Sequence, residues 1–175
     1  HLKSEKQHQL IGNAMLELAV YLAFVTGVRQ LEILGLKKSQ IDTENAKVTF
    51  IETKNGEDRV SGLIGRSLEL LWEVQKTKGW AESEYVFPSP RNPNRTYDMR
   101  KPFKRALESA GIKDFSWHDI RHCCSSFLVE KGIPEVTIME IQGWKERDMV
   151  NYFNHNTKSV IEGQKVILGY LPPAN

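Results

Sequence analysis

The sequence predicts an α+β domain, mostly α-helical with one small antiparallel β-sheet. Three observations carry this. Apolar residues recur at helical spacing over long stretches, as Leu10, Ala14, Leu18 and Tyr21 do. One stretch, Lys47 to Glu52 (KVTFIE), alternates instead, is rich in β-formers, and is followed by Asn55-Gly56, a strong hairpin signal. At 175 residues the chain is long enough for one domain with its own core.

The elements follow in order. Glu5 to Val25 reads as the first helix, with Leu22 and Val25 extending its apolar stripe, and Thr26-Gly27-Val28 breaks it. A short helix spans Arg29 to Leu36. The hairpin strand Lys47 to Glu52 returns as Arg59 to Ile64, with Lys54 beside the turn. Arg66 to Lys78 is a helix, Tyr85-Val86-Phe87 a short extended piece ended by Pro88, and Ser89 to Arg95, rich in proline and asparagine, a loop. Asp98 to Ala110 is a helix stopped by Gly111. Another starts at Ser116 or Trp117 and ends at Glu130 before Gly132. Pro134 opens a helix to about Ile141. Helices near Glu146 to Phe153 and Lys158 to Leu168 complete the chain. No internal repeat or low-complexity segment interrupts this order.

Composition bounds the class. Hydrophobic residues make up 40% and charged residues 26%, with a formal net charge of +2. No apolar run approaches the ~18 residues that span a membrane, and no signal peptide is evident. The only cysteines, Cys123 and Cys124, are neighbours and do not readily bridge. A disulfide framework is therefore not expected, which points to an intracellular, cytoplasmic setting. Between Arg91 and Arg105 lie six basic residues (Arg91, Arg95, Arg100, Lys101, Lys104, Arg105) against one acid, Asp98. A solvated helix face and a polyanion-contacting surface both fit that cluster.

The densest chemistry lies in WHDIRHCCSSF, residues 117–127. On a helix His118, Arg121 and His122 share one side. A zinc reading would use His118 and His122 with a third ligand. The glutamate of His-Glu-x-x-His is missing, and adjacent cysteines point about 100° apart. Cys123 and Cys124 read better as small buried hydrophobes. Arg121, set among core residues, needs an anionic partner, either an internal carboxylate or a phosphate. A second arginine, Arg29, stands in TGVRQLEILGL, with Glu32 three residues on as a local ion-pair alternative. Two such guanidinium groups can clamp one anion between them, since their planar forks match phosphate oxygens.

Taken in order, TGVRQLEILGL, Lys54 before Asn55-Gly56, HDIRH, Gly143-Trp144 and Tyr152 resemble the tyrosine recombinase (phage integrase) family, over nearly the whole chain. Trp144 stands where most members have histidine. The resemblance implies the family's catalytic-domain fold and DNA strand cleavage and rejoining through a 3′-phosphotyrosyl intermediate, independent of metal, cofactor and ATP. It assigns Tyr152 as nucleophile, Arg29 and Arg121 as stabilisers of phosphate charge, Trp144 as an N–H donor, His118 as base and Lys54 as general acid. The basic cluster Arg91 to Arg105 becomes a DNA-backbone surface. Residues 1–175 would form one catalytic domain, with the N-terminal DNA-clamping (core-binding) domain outside this chain. Double-stranded DNA is the implied partner, with a homotetramer on DNA and a monomer without it. A non-catalytic DNA-binding module on the same fold, and a zinc protein using His118 and His122, are the rival readings.

Overall fold

A computed structural model describes residues 2–51 and 58–144, with side chains described from residue 14 onward. Lys54 and its turn, Tyr152, and the two final helices expected from the sequence lie outside the described residues.

Among the described residues there are six α-helices and two small antiparallel sheets. Helix α1 (Leu2–Thr26) is the central member, packing against α2 (Gln30–Leu34), α3 (Ser67–Gln75), α4 (Arg100–Ser109) and α5 (Trp117–Glu130). Its inner stripe of Met15, Leu18, Ala19 and Leu22 is fully buried. Phe24 meets Phe127 of α5 with ring centroids 5.8 Å apart, and Phe103 of α4 meets Trp117 at 5.1 Å. Helix α6 (Glu135–Gln142) packs on α5.

The first sheet runs β1 (Ile41–Asp42), β2 (Lys47–Phe50), β3 (Arg59–Gly62), with Ile41 opposite Val48 and Phe50 opposite Arg59. Val48 and Phe50 fill the inner face, as the period-2 pattern requires. In β3 the pattern is inverted. Val60 faces out and Arg59 and Ser61 face inward.

The structure corrects the sequence reading at Ser89 to Arg95. The segment is not all loop, because β4 (Pro88–Ser89) and β5 (Asn92–Thr96) form a second antiparallel sheet. Proline and asparagine suppress a strand assignment, yet a two-stranded ribbon consists only of edges, where a missing N–H costs nothing. The ribbon is fixed by Tyr97 N–H donating to Phe87 O at 2.8 Å and by Ser83 Oγ donating to Pro93 O at 2.6 Å. Strand β1 and the 3₁₀ turn at Lys38–Gln40 also lie where no element is expected.

Candidate active site

Thr26-Gly27-Val28 ends α1 and turns the chain toward α2. The Thr26 hydroxyl donates to Leu22 O at 2.6 Å, and Gly27 adopts a φ of +61°. Glycine is needed there twice. The left-handed conformation disfavours any side chain, and a β-carbon would run into the buried Gln142 amide. Arg29 then caps α2, with Glu32 accepting from the Arg29 backbone N–H at 3.2 Å.

Arg121 is the most deeply set charge of the site. It comes from the inner face of α5, and the residue is only 4% exposed. The sequence reading expects an anionic partner for it. Instead, two backbone carbonyls hold it, Nη1 donating to Gly27 O and Nη2 to Gln142 O, each at 2.5 Å. These bonds satisfy only part of a five-donor guanidinium, and the nearby Glu32 offsets only some of its charge. Burial and the nearby Arg29 and Arg59 guanidiniums depress its pKa to about 10. A buried cation close to two others favours any anion that enters.

Arg29 is at the edge of this cluster. Its Nη1 bridges Glu32 at 3.2 Å, so the local pair weighed from the sequence is formed, while 32% of its side chain stays exposed. Trp144 follows the left-handed Gly143 (φ +64°) that ends α6, where Trp144 N–H donates to Met139 O at 2.9 Å. The Trp144 ring lies beneath the Arg121 guanidinium, 5.4 Å from its central carbon.

The opening of α5 sets His118. Asp119 closes a capping box, accepting from Ser116 N–H at 2.7 Å and from the Ser116 hydroxyl at 2.6 Å. His118 is exposed and meets half-buried His122 edge-on, ring centroids 4.5 Å apart. Burial, followed by the His118 charge, lowers the His122 pKa. The shared side expected for His118, Arg121 and His122 thus divides: the histidines pair outward and Arg121 turns into the core. Among the described residues no group of three or more histidine, cysteine, aspartate or glutamate side chains converges to hold a metal. Cys123 and Cys124 are buried, and burial pushes both thiols up to about 12. They are core residues.

Arg91, Arg95, Arg100, Lys101, Lys104 and Arg105 are all exposed, on β5 and its turn and on α4. Arg100 is tied to Asp98 at 2.7 Å, and Lys104 approaches Glu108 at 3.8 Å. Arg59 is the residue that sequence reasoning missed. Its signal was present in β3, RVSG, where an arginine occupies the inward register of a half-buried strand.

The described site therefore brings Arg29, Arg121 and Trp144 together, sets His118 at the mouth of the same helix that carries Arg121, and leaves the basic cluster as a separate exposed surface. A family model described as the phage integrase family matches residues 4–159. The integrase of Salmonella phage P22 is 31% identical over 80% of this chain. A tyrosine recombinase XerA from Saccharolobus solfataricus is 27% identical over 79% of it. The chain spans 39% and 45% of the lengths of those two relatives. Among solved structures, XerA recombinase superposes over 92% of this chain and 60% of its own, with a TM-score of 0.70 and 20% identity. A lambda integrase dimer bound to a COC′ core site superposes over 85% of this chain and 46% of its own, with a TM-score of 0.60 and 21% identity. The fold is the one those recombinases share, and by its sequence match the chain belongs to the phage integrase family.

Proposed function

We propose that this chain is the catalytic domain of a site-specific DNA recombinase. Its substrate is double-stranded DNA. The Tyr152 phenol attacks a backbone phosphate, the bond from phosphorus to the 5′-oxygen breaks, and a 3′-phosphotyrosyl link remains. The phenol proton passes to His118, and Lys54 protonates the departing 5′-oxygen. Attack by the 5′-hydroxyl of another strand reverses each transfer. The covalent link conserves the phosphodiester energy, so resealing requires no ATP.

The observation that carries this reading is the Arg121 guanidinium, buried, hydrogen-bonded to two backbone carbonyls, and flanked by Arg29. A pentacoordinate phosphorane gathers negative charge on its nonbridging oxygens. Preorganised cations at that position supply the stabilisation that a metal supplies elsewhere. A phenol of ordinary pKa ~10 is protonated near neutrality and needs a nearby acceptor, and exposed His118 supports that role. The exposed basic surface from Arg91 to Arg105 suits contacts with the DNA backbone. The assembly proposed is a homotetramer on DNA and a monomer without it.

The test uses nicked duplexes drawn from the DNA flanking the coding sequence, which trap the intermediate. A denaturant-resistant protein–DNA adduct is expected. It persists with chelator and is lost in Tyr152→Phe. Duplex binding without any adduct would instead identify a binding module that does not cut.

A further inference from the structure

Arg59 reaches from β3 to the end of α6, the same place where Arg121 is anchored. Its Nη1 lies at Gly143, 2.8 Å from where a β-carbon would stand, while Arg121 donates to the adjacent Gln142 O. Its central carbon lies 5.6 Å from the Phe50 ring centroid, a contact that consumes no N–H. Among the described residues, its Nε and Nη2 are shut off from water and have no hydrogen-bond partner. Those two atoms form one edge of the guanidinium, the fork that grips a phosphate or carboxylate with two parallel bonds. Glu32 is the acid that acts on Arg59, and its bonds go to Arg29, Oε1 accepting from Arg29 Nη1 and Oε2 from the Arg29 backbone N–H. Burial depresses the Arg59 pKa, and the Arg29 charge adds to that. Buried donors that lack a partner are rare in folded proteins and call for an explanation.

We propose that Arg59 is a third anion-gripping residue of the phosphate site, holding a nonbridging phosphate oxygen through its Nε/Nη2 edge beside Arg29 and Arg121. This rests on the reading of Arg29 and Arg121 as phosphate ligands. An entering oxygen has to part the packing around Gly143 to reach that edge. The glycine at 143 keeps that route free of a side chain.

The experiment is a titration of the chain with inorganic phosphate, followed through the arginine Nε–H signals in ¹H–¹⁵N spectra. Signals are assigned by through-bond connectivity and by single substitutions. Saturable shifts of the Arg59, Arg29 and Arg121 signals are expected, with phosphate affinity about tenfold weaker in Arg59→Gln, as for loss of a charge-assisted pair. Arg29 and Arg121 shifting while Arg59 stays fixed would overturn this proposal and leave the two-arginine site intact. If none of the three moves, the phosphate site itself is lost, and this proposal with it.

Discussion

Replacing Gly27 by alanine tests how the site is built. The substitution forces an L side chain into φ +61°, and its β-carbon meets the Gln142 amide. The left-handed conformation costs about 1–2 kcal/mol. Overpacking a closed core costs about 1–3 kcal/mol more. The sum, about 2–5 kcal/mol, lowers Tm by roughly 4–20 °C in a chain of this size. Gly111 supplies the control. Its φ is +70° and a β-carbon there meets nothing within 4 Å, so Gly111→Ala carries the strain alone. Its loss is about 1–2 kcal/mol, or roughly 2–8 °C. Thermal melts followed by far-UV circular dichroism compare the two. Equal melting temperatures would refute the argument that Gln142 packs on the glycine. The same displacement shifts Gly27 O, an acceptor of Arg121, so adduct formation should fall further in Gly27→Ala than in Gly111→Ala.

Three further outcomes are expected. With thiol pKa values of about 12, Cys123 and Cys124 are thiolate in about one molecule in 10,000 at pH 8, so iodoacetamide should label them only in denaturant; rapid native labelling, read by mass spectrometry, would place them outside the core. The His122 pKa is lowered in the folded chain, so below its ordinary value near 6.5 the unfolded chain binds more protons and stability falls with falling pH. His122→Asn should therefore lose less Tm between pH 7.5 and 5.5 than the parent chain does, and equal losses would show that His122 does not contribute. In duplex-binding titrations against salt, Lys101→Gln and Arg105→Gln should each flatten the log–log slope by about 0.9. Arg100→Gln, whose cation is already bound to Asp98, should change it less; a larger change in Arg100→Gln would reverse that ranking.

The sequence was most legible where local rules act alone. Helix α5 runs over Trp117–Glu130, as its cap and glycine stop dictate, and β2 pairs antiparallel with β3 within the two segments, KVTFIE and Arg59 to Ile64, that the alternation marks as strands. The β4–β5 ribbon escaped because its strands are too short and too poor in β-formers to register, and tertiary bonds at Tyr97 and Ser83 define them. Arg29 and Arg121 were found through their apolar surroundings. The partners of Arg121 were not, because backbone carbonyls carry no residue-type signal. Arg59 was missed because an arginine at a strand start reads as a solvated end; only its register shows that it points inward. The charge cluster at Arg91–Arg105 was visible as composition, but the Asp98 pairing that occupies one of its cations depends on geometry.

The two carbonyls that hold Arg121 belong to distant parts of the chain, 94 residues before it and 21 residues after it. Closing such separations is slow compared with local helix formation. The anchoring of Arg121 is therefore completed only once both of those chain regions are in place. During synthesis, α1 and α5 can form while Gln142 has yet to emerge, and Arg121 then lacks one of its anchors. A growing chain consequently lacks the assembled Arg121 cluster until residue 142 has emerged. The late anchoring of one side chain is set by chain connectivity alone.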